Sequence, residues 1–377
     1  MTSDRQREWV ATMHGHGGGR GLVHAHRTTP PPSFEPRRLH REAREELEAL
    51  SLAVGATRSR GAGQRAVEEA PDPRRTCFER DRDRILHSTS FRRLAGKTQV
   101  FVFPADHQRT RLTHALEVAQ VATAVSRAVG LNVALTEAIA LGHDCGHGPG
   151  GHASEDAFDQ FLPGGYHHAA WGADEVLTPL NLCAETLDGI RNHSWSQPTP
   201  STPEGAVVSW ADRCAYSAHD LEDAVSAGIV DPADLPDEVT VVLGSGRRRQ
   251  LSTLITALVD GIERTGVVGM DAVHADALAG LRAFNYARIY DRPASTEQAA
   301  AVIAVLTALV EHFAAHPDLL PGAAGSEGAD PVRTAVAWVA GMTDRFAFDT
   351  AVRLLDWPAD RLPHGVDRPA VGSLDPA

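Results

Sequence analysis

The chain of 377 residues contains a single lysine, four cysteines and no long run of apolar residues. Its formal net charge of −13 argues against a general nucleic-acid coat, because such a protein needs a basic surface. No stretch approaches the roughly 18 apolar residues that a membrane helix needs, and the first residues lack the apolar core of a secretory signal. We therefore expect a cytoplasmic protein without a membrane partner.

The cysteines are too few and too scattered for a disulfide framework or a zinc knuckle. Cys77, Cys145, Cys183 and Cys214 form no Cys-x-x-Cys pair. Such spacing is typical of reduced thiols in a cytoplasmic protein.

Motifs of doubly wound nucleotide folds are missing too, and helical periodicity takes their place. The chain has no β-α-β alternation, no P-loop and no Gly-x-Gly-x-x-Gly after a strand. Apolar residues recur at three- and four-residue spacing, which predicts an all-α fold. The predicted helices are 37–52, 79–95, 110–129, 132–143, 152–162, 169–178, 204–227, 251–265, 271–289, 295–315 and 331–355. At most one small β-hairpin is predicted, between residues 238–243 and 248–251.

Composition divides the chain into three parts. Residues 1–33 are rich in His, Gly and Pro without periodicity, which predicts a disordered extension. Residues 34–357 carry the helical pattern and are predicted to form a single domain. Residues 358–377 are rich in Pro and Asp and are predicted to form a flexible tail.

Basic residues concentrate in one segment despite the negative net charge. Ten of them lie between Arg74 and Arg111, among them Arg80, Arg82, Arg84, Arg92, Arg93, Lys97 and Arg109. Two interpretations explain this concentration equally well. One is a composition bias towards arginine, and the other is a positive pocket wall that receives a polyanion.

Two imidazoles and two carboxylates form the strongest chemical pattern of the chain. His143 and Asp144 are adjacent, His114 lies upstream and Asp212 downstream. A mixed nitrogen and oxygen set suits a divalent first-row cation and leaves coordination positions open. A metal with open positions lowers the pKa of bound water and neutralises phosphate charge, so the set predicts phosphoester hydrolysis. Mn²⁺ or Mg²⁺ is the expected metal, and Fe, Co, Ni or Zn also suits these ligands.

A loop of four glycines and a proline follows His143-Asp144, and a new helix is predicted near His152. Glu155 falls on the same face at i+3, so the two side chains could form an acid/base dyad. The alternative is that Glu155 caps the helix and His152 only packs. Arg111 precedes His114 by three residues, which would direct a guanidinium and an imidazole into one cavity.

The predicted helix 204–227 carries a second polar stripe. Asp212, Tyr216 and Asp220 are spaced four apart, and Arg213 borders them. One carboxylate could bind metal while the other binds a sugar hydroxyl, with the tyrosine ring over the ribose. The alternative is an ordinary polar helix face.

These residues lie in sequence segments that resemble those of a known family, the HD-domain deoxynucleoside triphosphate triphosphohydrolases (dGTPase-like proteins). The resemblance runs from about residue 42 to 356 and is carried by the phrases at 71–88, 91–101, 109–120, 143–155, 185–194 and 340–347. It implies an all-α HD fold and hydrolysis of a dNTP to deoxynucleoside and inorganic triphosphate, by water attack at the α-phosphorus.

The resemblance also implies roles for individual residues. The metal ligands would be His114, His143, Asp144 and Asp212, and the catalytic dyad His152 with Glu155. The substrate contacts would come from Gln99, Arg111, His147, His168, Arg213, Tyr216 and Asp220. Family members often form homo-oligomers, and some bind an activating dNTP or single-stranded nucleic acid.

Two phrases depart from the family pattern. The chain has His168-Ala169 where the family often has His-Asn, which affects substrate contacts near His168 and not the metal site. It has Gly148-Pro149-Gly150 where Pro-Pro-Phe is common, which predicts a hole or extra mobility.

Two other functions remain open from the sequence. An HD phosphohydrolase or phosphodiesterase for another nucleotide would share the metal and differ in the pocket. A nucleotide-sensing or single-stranded nucleic-acid-binding protein with weak catalysis would use the basic segment, although the intact metal set and the His152/Glu155 pair count against it.

Overall fold

A computed structural model describes residues 3–18, 21–26, 32–104, 108–321, 330–363 and 365 of the chain. The chain divides into two units, Met1–Leu39 and His40–Ala377. The boundary lies six residues beyond the end of the predicted extension, at 39 instead of 33. The tail predicted from 358 lies mostly outside the described residues.

The first unit contains regular structure where the sequence predicts disorder. Helix α1 (Asp4–Ala11) begins with a capping box in which Ser3 and Gln6 satisfy each other's backbone N–H groups. Strands β1 (His16–Gly18) and β2 (Leu22–His24) pair antiparallel. No residue of α1 is buried, so local capping and turn formation account for this structure and a core does not.

The second unit is helical, which confirms the predicted all-α fold. Its helices are α2 (Arg41–Ser51), α3 (Cys77–His87), α4 (Thr89–Arg93), α5 (Arg111–Val129), α6 (Val133–Gly142), α7 (His152–Asp159), α8 (His168–Trp171), α9 (Ala184–Arg191), α10 (Pro203–Ser226), α11 (Asp237–Val242), α12 (Arg247–Thr265), α13 (Ala272–Asn285), α14 (Pro293–Ala315), α15 (Pro331–Ala340) and α16 (Asp344–Leu355). Helix α9 is not among the predicted helices. The predicted helix 331–355 is two helices, because the chain breaks at 341–343.

The hairpin predicted at 238–251 is wrong. Residues 237–242 form α11, and the second predicted strand lies inside α12. Pro236 precedes α11, and Asp237 and Glu238 lie in its first turn, where acidic side chains favour the helix dipole. The β-branched run pairs with no strand in the described part of the chain, and β-propensity depends on such packing.

The main core surrounds α5, α6 and α10. Helix α5 packs against α6 and α10, and α6 also packs against α3. Every residue of α6 from Ala138 to its end is buried, which is why this segment is apolar all round. α5 ends at Gly130 in the left-handed conformation, and Asn132 caps α6 two residues later. This short connection places the end of α6 beside the first turns of α5.

A second core lies between α7, α14, α15 and α16. By length and composition α14 is apolar enough to cross a membrane, contrary to the expectation that no stretch approaches that length. One face of α14 is packed inside this core through Val302, Val305, Leu306, Leu309 and Val310. Core helices of globular proteins pass the same test, so the finding carries no membrane assignment.

The arginines of the segment 74–111 are largely paired with carboxylates. Arg80 and Arg84 both contact Glu69 at 2.5 Å, and Arg82 contacts Asp83 at 2.7 Å. Arg109 is buried among carboxylates of α5 and α10. These ion pairs offset part of the positive charge of the segment, whereas the guanidinium groups of Arg74, Arg92 and Arg93 have no carboxylate partner among the described contacts. The positive pocket wall stays a prediction.

Asp344 connects the second core to the loop that follows α6. One oxygen of this buried carboxylate accepts the Gly150 N–H at 2.8 Å. The other accepts from the backbone N–H and the hydroxyl of Thr98 at 2.9 and 2.6 Å. Burial lowers the pKa of the neighbouring Lys97 to about 8, and the Asp344 charge opposes this shift. A single side chain therefore satisfies three donors and balances a buried cation.

Asp344→Ala should lower Tm by about 5 °C or more, because it leaves buried N–H donors without acceptors and Lys97 without its counter-charge. The matched control is Asp349→Ala, an exposed aspartate of the same helix. Differential scanning fluorimetry of the two variants tests this role. Equal Tm values for both variants would show that the contacts of Asp344 do not stabilise the fold.

Candidate active site

Three helices bring the four predicted metal ligands together. His114 lies in the first turn of α5, His143 caps the end of α6, and Asp144 follows it directly. Asp212 lies in the middle of α10, which packs across both helices. The close packing of these helices explains how residues 98 positions apart in sequence come to share one site.

The donor atoms of these residues lie within a few ångströms of one another. His114 Nε2 lies 3.0 Å from Asp212 Oδ1, and His143 Nε2 lies 3.7 Å from the same oxygen. Asp144 places Oδ1 3.4 Å from His143 Nε2 and Oδ2 3.9 Å from His114 Nε2. His114, His143 and Asp212 form a compact group that could hold a metal ion, and Asp144 forms a second such group with His143 and His193.

The orientation of His143 supports a metal site. Its Nδ1–H donates to the Ala140 carbonyl at 2.6 Å, which fixes the ring and leaves the Nε2 lone pair towards the carboxylates. Nε2 is buried and has no hydrogen-bond partner in the described structure. A buried polar atom without a partner costs free energy unless a ligand satisfies it. The donor set therefore fits a divalent cation.

Charge in the site is arranged to keep the carboxylates ionised. Burial raises the pKa of Asp144, but the Arg111 guanidinium at 2.7 Å and the His143 imidazole outweigh it, so the pKa lies well below its usual range. Burial likewise raises the pKa of Asp212, but the hydrogen bond from His114 and the charges of His143 and His114 together lower it below its ordinary value. Both ligands are anionic at neutral pH, which metal binding requires.

The predicted dyad forms at the start of α7. His152 Nδ1 lies 2.8 Å from Glu155 Oε1, and His168 Nδ1 lies 3.0 Å from the same oxygen. Burial raises the pKa of Glu155, but these two imidazoles lower it well below its usual range. The side chain of His152 is 75% exposed, whereas Glu155 is 17% exposed. The geometry is thus that of a fixed carboxylate orienting an accessible imidazole.

His147 joins the dyad to the metal-ligand set. Its Nε2 lies 3.3 Å from Asp144 Oδ1, and its ring stacks on His168 with centroids 3.7 Å apart. Burial and the nearby Arg111 charge lower the pKa of His147 well below its ordinary value. A neutral imidazole here donates or accepts a hydrogen bond without adding charge.

The loop between Asp144 and α7 is closely packed. Residues 145–151 are buried. The Gly148 N–H donates to the Ser154 hydroxyl at 3.0 Å. Gly150 has φ +73°, and a side chain there would overlap Val302 of α14. Gly150 therefore lets α14 approach the loop, and it also lines the cavity beside the loop.

A cavity of about 690 Å³ opens onto this site. Of the predicted site residues, His143 is buried and does not line the cavity. The others do: Gln99, Arg111, His114, Asp144, His147, His152, Glu155, His168, Asp212, Arg213, Tyr216 and Asp220. Arg111 is buried, and its Nε and Nη2 have no partner in the described structure. The same is true of Gln99 Oε1. Such groups are free to bind an anionic or polar ligand.

The polar stripe of α10 is held by side chains that come from elsewhere. Asp220 accepts from Arg109 on one oxygen and from the Tyr290 hydroxyl on the other. The Tyr216 hydroxyl accepts from Arg282 at 2.6 Å. Burial, with the Asp212 charge, raises the pKa of Tyr216 to about 12, so the phenol is neutral. Both groups are fixed before any ligand binds.

Several lining residues were missed from the sequence. His193 follows α9. Its Nε2 lies 3.2 Å from Nε2 of His168, and its ring contacts the ring of His143. Trp195 stacks under Arg213, whose Cζ lies 3.4 Å from the ring centroid. Arg282 and Tyr290 come from the region after α12. The phrase Asn-His-Ser at 192–194 was the only available signal, and nothing in it gave His193 a role.

Comparison with known families places two domains on this chain. The HD domain matches residues 111–217, and the phosphohydrolase-associated domain matches residues 268–353. The first range contains the ligand set and the dyad. The second contains Asp344, together with Arg282 and Tyr290, so both matched regions contribute to the cavity and its support.

Curated relatives agree with this placement. A deoxyguanosinetriphosphate triphosphohydrolase-like protein of Caldanaerobacter subterraneus subsp. tengcongensis is 40% identical over 81% of this chain and 93% of its own length. One from Clostridium perfringens is 39% identical over 81% of this chain and 94% of its length. One from Deinococcus radiodurans is 37% identical over 82% and 98%. The chain belongs to the HD-domain deoxynucleoside triphosphate triphosphohydrolase (dGTPase-like) family.

Proposed function

We propose that this protein hydrolyses a deoxynucleoside triphosphate to deoxynucleoside and inorganic triphosphate, in a reaction that depends on a divalent metal. The observation that carries the proposal is a single cavity. It joins the ligand set and the His152/Glu155 pair to unpartnered guanidinium nitrogens and a neutral tyrosine. The names of the relatives, which are deoxyguanosinetriphosphate triphosphohydrolase-like proteins, support a nucleotide substrate.

His114, His143, Asp144 and Asp212 would hold the metal. When bound, a divalent cation there supplies an acidified water and neutralises charge on the phosphate. Mn²⁺ or Mg²⁺ is the proposed ion, because the set has two carboxylates and no thiolate. The Arg111 contact to Asp144 keeps that carboxylate oriented and ionised while the substrate binds.

His152 is the proposed proton carrier. Glu155 holds its Nδ1, which leaves Nε2 free to exchange a proton inside the cavity. Cleavage between the α-phosphorus and the 5′ oxygen leaves an alkoxide, and a protonated imidazole can supply its proton. His147 contacts Asp144, and His168 contacts Glu155. Both imidazoles would orient the reacting phosphate.

The phosphates and the sugar would bind at opposite sides of the ligand set. Arg111 has two unpartnered guanidinium nitrogens beside Asp144, which suits phosphate oxygens. Arg213, on the Trp195 ring, is a second cation of the cavity wall. Tyr216 and Asp220 are held rigid by Arg282 and Arg109, and Gln99 adds a free acceptor. A rigid wall of this kind would disfavour the extra 2′-hydroxyl of a ribonucleotide.

The reaction class is tested by product analysis in H₂¹⁸O. Each dNTP and NTP is incubated with Mn²⁺ or Mg²⁺, and triphosphate, pyrophosphate and phosphate are resolved by mass. We expect deoxynucleoside and intact triphosphate from dNTPs, with ¹⁸O in the triphosphate, because water attacks the α-phosphorus. Pyrophosphate or orthophosphate as the first product would reject this reaction and leave another HD phosphohydrolase activity.

Metal content tests the ligand assignment. Asp212→Ala should lose bound metal and activity, since it removes the carboxylate shared by both histidines. Asp220→Ala on the same helix is the matched control, and it should keep the metal while substrate binding weakens. Inductively coupled plasma mass spectrometry on the purified variants gives the answer. Metal lost from the Asp220 variant and kept in the Asp212 variant would mean that the wrong aspartate is assigned.

His152→Ala should keep the metal and lower kcat by about 10²–10⁴-fold, the usual share of acid/base catalysis. The matched control is His274→Ala, because His274 also bonds a carboxylate three residues away, at 2.7 Å, outside the cavity. Steady-state kinetics with the metal content of each variant provides the measurement. Wild-type turnover in the His152 variant would remove this residue from the mechanism.

A further inference from the structure

Two of the four cysteines lie side by side, at the starts of two helices that are distant in sequence. Cys77 is the first residue of α3, and Cys183 immediately precedes α9. Cys77 is partly exposed and lines a second cavity of about 500 Å³, whereas Cys183 is fully buried. One thiol of the pair is therefore open to small solutes and the other is covered.

Arg65 ties the two cysteines to one place in the fold. Its backbone forms an antiparallel bridge with Cys183, and its Nη2 donates to the Cys77 carbonyl at 3.1 Å. Its Nη1 pairs with Asp81 at 2.7 Å. Asp81 accepts the Cys183 N–H at 2.8 Å. Both cysteine backbones are thus fixed by the same guanidinium and its buried counter-charge.

The position of Gly63 shows that the two sulfurs are close to each other. A Cβ atom on this residue would lie 2.6 Å from Cys77 Sγ and 3.4 Å from Cys183 Sγ, so one carbon-sized position touches both sulfurs. Gly63 has φ +81°, a conformation that glycine adopts without strain. A glycine here therefore leaves the two thiols room to meet.

The two thiols differ in reactivity as well as exposure. The hydrogen bond with the Cys77 thiol, together with burial, raises the pKa of Cys183 above its ordinary value. Cys183 therefore keeps its proton, and Cys77 is the sulfur that a solute reaches first. Within the described part of the chain, no histidine, carboxylate or third cysteine joins the two sulfurs in a compact ligand set. A metal site therefore does not explain the pair.

We propose that Cys77 and Cys183 form an oxidation site, at which hydrogen peroxide converts the two thiols to a disulfide that thiol reductants reverse. The Cys77 sulfur attacks one peroxide oxygen, the O–O bond breaks, and a sulfenic acid forms as the first water leaves. The Cys183 sulfur attacks that sulfenic sulfur, the S–S bond forms, and the hydroxyl leaves as a second water with the Cys183 proton. The two thiols lose two electrons, and the peroxide gains them.

The bond would join α3 to α9 across a loop of roughly 100 residues, and such a cross-link restricts the unfolded chain. Oxidation should therefore raise Tm by about 5 °C. This effect is independent of the proposed hydrolytic activity, because neither cysteine lines the active-site cavity.

Peptide mapping of the full-length protein tests the site. The protein is treated with hydrogen peroxide, alkylated in denaturant, and digested with trypsin and glutamyl endopeptidase. Cleavage at Arg75, Glu79, Glu175 and Glu185 releases residues 76–79 and 176–185, which separates Cys77 and Cys183 from the other two cysteines. We expect a linked pair of these peptides that disappears on reduction, together with the rise in Tm.

Variants distinguish this pair from unspecific oxidation. Cys77→Ser and Cys183→Ser should each lose the linked peptides and the rise in Tm, whereas the buried control Cys214→Ala should keep both. Three results on the wild-type protein would overturn the proposal: sulfinic acid at Cys77 with Cys183 alkylated, linked peptides that contain Cys145 or Cys214, or four alkylatable thiols at peroxide levels that already oxidise methionine. Because these readouts need only the wild-type protein, they hold even where a variant does not fold.

Discussion

The buried carboxylate of Asp144 is the contact on which the site depends. Arg111 donates to one of its oxygens at 2.7 Å, and the Nε2 atoms of His143 and His147 lie 3.4 and 3.3 Å from the other. A buried charge is tolerated only when it is paired and hydrogen-bonded. Because these partners come from the start of α5, the end of α6 and the glycine loop, the carboxylate fixes the positions of these three parts of the fold relative to one another.

Much of the candidate site could be predicted because its residues follow local rules. A glycine-rich break after an apolar helix marks the end of α6, and i+3 spacing pairs His152 with Glu155. The same rules could not find His193 or Tyr290, since their places depend on how α9 and the segment after α13 pack. The hairpin expected at 238–251 failed for a related reason: a β-branched run forms a strand only beside a partner.

The arginine-rich segment shows what a count of charges along the sequence leaves open. Counting charges along 74–111 left a composition bias and a positive pocket wall equally open, and carboxylates such as Glu69 and Asp83 pair with several of its arginines. Arg109 is the extreme case, buried between Glu117, Asp220 and Asp223. Only Arg111 of these residues lines the cavity, so the positive charge near a bound ligand comes from three separate helices instead of one stretch of chain.

The contact between Asp344 and the glycine loop links residues 194 positions apart. During synthesis the HD helices leave the ribosome long before residue 344 is made. Until then the Gly150 N–H and both Thr98 donors lack the acceptor that they have in the finished protein. The HD region can collapse early around α5 and α6, but its loop acquires this support only after residue 344 has been synthesised. Helix α16 therefore supports a loop that lies 194 positions earlier in the sequence.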